Sequence, residues 1–319
     1  MTLLSLSGVS LSGLDASGMK GLTAFCVYDA GLTTDKIGFP ESPALRELTL
    51  NDNLIDNTGF LSRYPGLKSL SLNGNPLTTL DVSGLKSLEG LYVSNCALES
   101  VTLDNPALWE MALVNNSLES IDLSRVPAMA QLWLSNNRLA AIDIDHLDKL
   151  VAVAVDANRM DFTTLPRPKP GYILYNYLNQ QQLAIELVDG KVDLSAQAMV
   201  GLTPTEYHWF IDSPYLDEEG NLTGEELIEG MEYTIEDGVT TFLKDFTHLI
   251  CVMTNSEFPE LYLMTDFIDV HTGALDSVEA AESALPVEYY NLQGVRVANP
   301  SGGVFIRRQG GKTAKVVVR

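Results

Sequence analysis

A pair of apolar residues separated by one spacer recurs along the first half of the chain. Successive pairs start 20 to 23 residues apart. The eight pairs are Leu4/Leu6, Phe25/Val27, Leu48/Leu50, Leu70/Leu72, Leu91/Val93, Met111/Leu113, Leu132/Leu134 and Val153/Val155. A repeat of this length with alternating apolar positions predicts one short strand per repeat, with the paired side chains facing a shared core. We therefore expect eight parallel strands in one sheet about 34 Å long, because neighbouring strands lie about 4.8 Å apart.

A small side chain follows most of these pairs at a fixed distance. This position, here called the ladder position, lies three residues after the second apolar residue and holds Asn53, Asn75, Cys96, Asn116, Asn137 and Asn158. The first two pairs have Val9 and Ala30 there instead. The combined pattern resembles the leucine-rich repeat family over about half of the chain. The resemblance implies a solenoid in which each ladder Asn is buried and bonds backbone groups that the turn leaves unpaired.

The residues before, between and after each apolar pair should point away from the core, since side chains alternate along a strand. We call these three outward rows the concave face. Tyr92 and Trp133 are expected on it about 10 Å apart, across Ala112. Exposed aromatic residues are typical of binding hot spots, although a neighbouring segment that covers them is the alternative. The candidate ligand-binding residues are Trp133, Tyr92, Tyr28, Val114, Glu110, Gln131 and Asp156.

The repeat pattern ends at residues 166–171, where three prolines fall within six residues. Short aromatic and β-branched runs follow, separated by turn residues at the spacing of a β-sandwich. These runs are 172–178, 183–188, 206–211, 231–235, 240–246, 248–254 and 261–270. Residues 166–270 resemble an immunoglobulin-like module, with Trp209 and Cys251 in places like its Trp and second Cys. The partner Cys is missing, and Cys26 and Cys96 lie three repeats apart, so we expect no disulfide.

The end of the chain differs again in composition. Residues 271–285 are small and polar and are interpreted as a linker. Residues 286–319 contain three expected strands, 287–297, 300–308 and 315–319. Their Tyr-Asn-Leu-Gln-Gly, Gly-Val-Phe-Ile and Lys-Val-Val-Val-Arg blocks resemble the short C-terminal sorting-type domains of proteins exported by type IX secretion in Gram-negative bacteria. The resemblance implies an exported or surface-exposed protein.

The start of the chain also bears on its location. Leu3, Leu4 and Leu6 begin the first repeat directly, whereas a solenoid needs a polar cap at each end. We therefore expect an exposed apolar edge or a partner there, and a longer natural precursor with a cap and a signal sequence.

The charge balance excludes one class of partner. Lys and Arg total 20 against 42 Asp and Glu, a formal net charge of −22. A phosphate-binding surface needs clustered basic residues, so nucleic acid is not an expected partner. No apolar run approaches the roughly 18 residues that span a bilayer, so any attachment to a membrane should be peripheral or by an anchor.

The sequence contains no motif that would bring together a nucleophile, a base and metal ligands. The acidic segment 143–148 overlays the return turn of another repeat, and 217–228 has Leu222 and Ile228 where a calcium loop requires Gly and Glu. Glu47 and Glu110 are expected three strands apart, about 14 Å, which is too far for a glycosidase pair. We expect no catalytic residues, no cofactor and no metal.

The sequence thus predicts a mostly β protein with three modules and a linker. Residues 1–165 form the leucine-rich repeat solenoid, 166–270 an immunoglobulin-like β-sandwich, 271–285 the linker and 286–319 a small C-terminal β module. The predicted function is non-enzymatic binding or adhesion to an extracellular protein or glycan, by a secreted or outer-surface protein of a Gram-negative bacterium. The alternatives are a structural spacer without a specific ligand and, less favoured, a carbohydrate-processing accessory protein.

Overall fold

The structure is a computed structural model that describes residues 2–272, 287–291, 295–298, 300, 303–309 and 312–318. The chain divides into two compact units. Unit 1 contains Met1–Ala184, Ala196–His208 and Cys251–Asp266, and unit 2 contains Ile185–Ser195, Trp209–Ile250 and Phe267–Arg319. The end of the repeat pattern expected at residue 166 therefore lies inside unit 1 and not at a unit boundary.

The strands of the repeats are short, because each repeat contributes only a few residues to the sheet before it turns away. They are β1 Leu3–Ser7, β2 Leu14–Asp15, β3 Ala24–Tyr28, β4 Ile37–Gly38, β5 Glu47–Thr49, β6 Ser69–Ser71, β7 Thr79–Asp81, β8 Gly90–Tyr92, β9 Ser100–Thr102, β10 Glu110–Ala112, β11 Gln131–Trp133, β12 Ala152–Ala154 and β13 Leu174–Asn176. Two 3-10 turns, Thr34–Lys36 and Gly59–Arg63, lie in the return segments.

The parallel sheet of unit 1 has nine strands, one more than the sequence predicted. Their order is β1, β3, β5, β6, β8, β10, β11, β12 and β13, while β2 pairs with β4 and β7 with β9 in the return segments. The ninth strand, β13, runs parallel to β12 and places Tyr175 beside Val153. The assignment of residues 172–178 to the β-sandwich is therefore wrong, since this segment is a further turn of the solenoid.

The apolar pairs form the core of the solenoid. Leu48, Leu50, Leu70 and Leu72 are 0% exposed, and the corresponding residues of the next repeats are equally buried. The first strand is the exception, because it has no neighbour on its outer side within the sheet. Leu4 and Leu6 are only half-buried there and Leu3 is 52% exposed, so the predicted apolar edge is present.

The ladder side chains tie each turn to the preceding one. Asn75 donates from Nδ2 to the carbonyl oxygens of Leu50 (2.9 Å) and Leu72 (2.8 Å), and its Oδ1 accepts the N–H of Ile55 at 2.9 Å. Asn53, Asn75, Asn137 and Asn158 are buried as predicted, and Asn116 is half-buried with the same bonds. Gln180 holds the ladder position of the ninth turn and donates to Val155 and Tyr177.

The residue before each ladder position adopts a left-handed backbone. This holds in all nine turns, with φ between 46° and 68°. The residues are Gly8, Asp29, Asp52, Gly74, Asn95, Asn115, Asn136, Ala157 and Asn179. Gly, Asn and Asp tolerate this conformation, whereas other L-residues lose about 1 to 2 kcal/mol in it. Ala157 is therefore the one strained member of the row.

The rest of the β structure up to residue 272 is mainly antiparallel. Its strands are β14 Leu187–Val188, β15 Lys191–Asp193, β16 Met199–Val200, β17 Thr203–Pro204, β18 Glu206–Leu216, β19 Leu222–Glu226, β20 Tyr233–Glu236, β21 Val239–Phe242, β22 Phe246–Thr254, β23 Leu263–Met264 and β24 Ile268–Val270, with a 3-10 turn at Ser195–Gln197. One sheet has the order β14, β15, β21, β20, and another contains β19, β18, β22 and β23, with β24 also paired to β22. Strands β16 and β17 form a separate hairpin.

Trp209 is a buried aromatic residue of unit 2 with a partner for its polar group. It is 0% exposed, its Nε1 donates to Thr240 Oγ1 at 3.1 Å, and its ring meets that of Phe242 edge-on. A buried indole N–H needs such a partner, because an unpaired one would cost about 1 to 3 kcal/mol. Cys26, Cys96 and Cys251 are free thiols.

The C-terminal region forms a four-stranded antiparallel sheet. Its strands are β25 Glu288–Tyr290, β26 Arg296–Val297, β27 Gly303–Gln309 and β28 Lys312–Val318, in the order β26, β25, β27, β28. The first of the three expected strands, 287–297, is thus two paired strands. The expected linker lies outside the described residues except for His271 and Thr272. No helix within the described ranges has the length and apolarity that a bilayer crossing requires.

Replacing Asn137 by Ala should lower the free energy of unfolding by about 2 kcal/mol, because it leaves the buried N–H of Leu118 unpaired and removes one of the two ladder hydrogen bonds to each of the carbonyls of Leu113 and Leu134. Denaturant unfolding of the full chain measures the effect. The exposed Glu119→Ala serves as the control and should change stability by less than about 0.5 kcal/mol. Equal unfolding midpoints for the two variants would contradict a structural role of the ladder.

Replacing Ala157 by Gly should raise the free energy of unfolding by about 1 kcal/mol, since Gly adopts the left-handed conformation without strain. The matched control is Ala154→Gly on β12, which should destabilise by about 0.5 to 1 kcal/mol because that backbone is extended. Paired thermal melts test both; a loss of stability in Ala157→Gly would show that the turn is not strained.

Candidate ligand-binding face

The sheet register aligns the concave face across neighbouring strands. Its middle row contains Ser71, Tyr92, Ala112, Trp133, Ala154 and Asn176, each beside the next. Tyr92 and Trp133 therefore stand two strands apart, about 10 Å, with Ala112 between them. Because Ala112 is small, the two rings border a shallow gap in the row.

Six of the seven predicted site residues lie near one another. Tyr92, Glu110, Val114, Gln131, Trp133 and Asp156 lie on or directly after β8, β10, β11 and β12. Tyr28 lies on β3, five strands from Trp133, which is about 24 Å. All seven side chains are half-buried. The structure thus groups six residues and leaves Tyr28 in a separate part of the face.

Tyr92 is fixed in place by two neighbours. Its hydroxyl donates to Glu110 Oε2 at 2.6 Å, and its ring lies across Gly90, where an added Cβ would come within 3.0 Å of the hydroxyl. Partial burial, followed by the adjacent Glu110 carboxylate, raises the pKa of Tyr92 to about 12. Tyr92 is therefore a neutral donor at neutral pH that holds the Glu110 carboxylate in one orientation.

The row after the apolar pairs is held by hydrogen bonds along most of its length. Asn51 Oδ1 accepts from Ser71 Oγ and from the N–H of Asn73, and Asn73 Oδ1 accepts the N–H of Ser94 at 2.7 Å. Farther on, Ser135 Oγ donates to Asp156 Oδ1. The polar groups of the early strands mainly satisfy one another, so this part of the face offers few polar groups to a ligand.

Three exposed apolar residues at the edge of the face were not among the predicted site residues. Trp109 (41% exposed) directly precedes β10, Ile173 (81% exposed) directly precedes β13, and Leu174 (40% exposed) is the first residue of β13. Trp109 and Ile173 belong to one row, here called the rim row, one position before the concave face. The signal for Trp109 was its large apolar side chain at a position that holds Lys68 and Glu89 in earlier repeats.

The two acidic segments close turns with their carboxylates. Asp143 Oδ1 accepts the N–H of Asp145 at 3.2 Å, and Asp145 also pairs with Lys169 Nζ at 3.1 Å. Asp217 accepts the N–H groups of Glu219 and Asn221 at 3.0 and 2.8 Å. Within the described part of the chain, no three His, Cys, Asp or Glu side chains form a group that could hold a metal ion.

The architecture defines the class: a mostly β protein whose parallel-sheet solenoid matches leucine-rich repeat folds. Among solved structures, the functional domain of InlJ from Listeria monocytogenes, described as including a cysteine ladder, is similar at a TM-score of 0.58 and 16% identity; the match covers 84% of this chain and 62% of that one. An LRR protein of Leptospira interrogans gives 0.46 and 20%, covering 59% of this chain and 57% of that one. No family model and no curated protein matches the chain.

Adjacent residues of β11 should differ in how much stability their truncation costs. Leu132 is 0% exposed, so Leu132→Ala should lower the free energy of unfolding by about 2 to 5 kcal/mol. Trp133 is half-buried and points away from the core, so Trp133→Ala should cost less than about 1.5 kcal/mol. Thermal melts of the two variants measure the difference. If Trp133→Ala is the more damaging change, its ring packs against the protein and is not presented to a ligand.

Proposed function

We propose that this is a non-enzymatic binding protein whose concave face recognises a protein partner. The observation that carries the proposal is the position of Trp133, half-exposed in the interior of a nine-stranded sheet, with Tyr92 about 10 Å away in the same row and Trp109 in the rim row one strand earlier. Trp and Tyr bury large apolar areas with few rotamers to restrict, and they dominate the energetics of protein interfaces.

The rigidity of the face supports the same role. Trp133 lies on a strand paired on both sides, and the Tyr92 to Glu110 hydrogen bond fixes two further side chains. A surface already ordered before binding loses little conformational entropy when a partner docks, which favours affinity. The similar solved structures indicate only the fold, so the partner is inferred from the residues of the concave face.

A glycan is the second candidate ligand. Glu110 and Gln131 lie beside each other at the start of β10 and β11, within one strand of Trp133. A carboxylate and an amide next to an indole ring suit a sugar, whose hydroxyl groups need hydrogen bonds and whose apolar face stacks on aromatic rings. The larger apolar surface added by Trp109, Ile173 and Leu174 favours the protein partner.

The remaining modules are proposed to present the solenoid outside the cell. The two antiparallel sheets and the buried Trp209 support an immunoglobulin-like sandwich that acts as a spacer. The basic C-terminal sheet and its sequence blocks support a sorting-type module of a secreted or outer-surface protein of a Gram-negative bacterium. A spacer without its own ligand is the competing proposal for the whole chain.

Screening the full chain against protein and glycan arrays, followed by titration of each hit, tests the binding role. Trp133→Ala should weaken binding about 30-fold, which corresponds to about 2 kcal/mol. Tyr28→Ala, on the same face but about 24 Å away, is the control and should leave binding within about threefold. Normal binding by Trp133→Ala, with an unchanged melting temperature, would remove the concave face as the binding site.

A further inference from the structure

We propose, building on the binding role above, that strands β8 and β10 to β13 recognise an extended polypeptide segment that carries two basic residues, one on either side of an apolar one. The segment would lie over Trp133 and pair its cations with Glu110 and Asp156. Three features of the structure support this partner: an uneven distribution of apolar surface, two carboxylates without a cation, and their spacing.

Apolar surface is concentrated in the last strands of the concave face. The middle row is polar at Ser5, Thr49 and Ser71, and later contains the half-exposed Ala112 and Trp133 and the buried Ala154. The rim row changes in the same way, from Arg46, Lys68 and Glu89 to Trp109, Ala130, Val151 and Ile173. Exposed apolar residues that cluster in this manner mark an interaction surface, whereas scattered ones do not.

The same strands carry negative charge that is not neutralised. The rim row and the concave face of β8 and β10 to β13 contain Glu89, Glu110 and Asp156 but no Lys or Arg. Glu89 is paired with Lys68 at 2.6 Å. Glu110 and Asp156 each accept a hydrogen bond from a neutral hydroxyl, Tyr92 or Ser135, and neither belongs to an ion pair among the described residues. A cationic partner would therefore find two oriented and unpaired carboxylates.

The positions of these carboxylates set the length of the segment. Glu110 lies one strand before Trp133 and two residues earlier in register, and Asp156 lies one strand after it and two residues later. With about 4.8 Å between strands and 3.3 Å per residue, each Cα is about 8 Å from that of Trp133, and the outer two are about 16 Å apart. Five extended residues place their first and last Cα atoms about 13 Å apart, with the first, third and fifth side chains on one face, and the long side chains of Arg or Lys span the remaining distance.

The chemistry also separates this partner from other macromolecules. Phosphate groups of nucleic acids would be repelled by Glu110 and Asp156, and a neutral glycan would leave their charge unused. Ion pairs beside the Trp133 ring would be partly shielded from water, which strengthens them relative to fully exposed pairs. The net charge of −22 would further speed the encounter with a cationic segment.

The test uses the full chain and fluorescent 12-residue peptides in anisotropy titrations at low and high salt. One peptide carries Arg at positions i and i+4 with Trp at i+2, so that all three side chains lie on one face of the extended segment. A second has the same composition with adjacent Arg residues, and a third replaces Arg by Glu. The first should bind at least 10-fold more tightly than the second, and the third should show no binding. The affinity of the first peptide should fall as the salt concentration rises.

Variants separate this inference from the broader binding role. Glu110→Gln combined with Asp156→Asn keeps both hydrogen-bond acceptors, and it should weaken the first peptide at least 10-fold and reduce its salt dependence. Glu47→Gln, an equal change in charge per site on β5, should leave affinity unchanged. Suppose that Trp133→Ala abolishes binding of an array ligand and the double variant does not affect it; the inference of a cationic partner is then wrong and the binding role stands. The same conclusion follows if the array ligand is a glycan and no peptide binds. If Trp133→Ala affects no ligand, both proposals fail.

Discussion

The buried ladder amide is the interaction on which the solenoid depends. Each turn leaves backbone N–H and C=O groups inside the protein, where an unpaired group is costly. One Asn side chain pairs with groups of two successive turns: Asn75 reaches Leu50 and Leu72 with its donors and Ile55 with its acceptor. Because this geometry recurs every 20 to 23 residues, it holds the strands in register and makes the opposite face of the sheet regular. The spacing of Glu110, Trp133 and Asp156 follows from that regularity.

Most of the solenoid could be predicted because its determinants are local and repeated. The Leu pairs and ladder Asn residues identify eight turns from the sequence alone. The ninth turn was missed because Tyr175 and Tyr177 replace the aliphatic pair and Gln180 replaces Asn. Gln is longer by one methylene but offers the same amide, and the aromatic rings fit at the end of the stack, where Phe258 packs against Tyr177. A pattern defined by residue type does not identify a repeat in which the side chains keep their chemical role but differ in size.

The candidate site was harder to predict than the fold. Alternation along strands identified the outward residues, and register placed Tyr92 and Trp133 as expected. The sequence pattern gave no indication that Tyr92 would lie across Gly90, because that contact depends on the absence of a side chain one row away. Trp109 and Ile173 were overlooked since they precede the alternating positions. Exposure in the rim row depends on the path of the backbone as it enters each strand, which the two-residue alternation of side chains does not describe.

In the solenoid, core and ladder residues face one way and the concave face the other, so stability and the proposed recognition depend on different side chains. Tyr92, Gly90 and Glu110 are the point where the two meet. A side chain at position 90 would displace the Tyr92 ring, free the Glu110 carboxylate and change the face without touching the core. The orientation of a charge that we assign to partner recognition therefore depends on a glycine with no polar group of its own. Gly90 has no side chain that could contact a ligand, yet it restricts what the surface can bind.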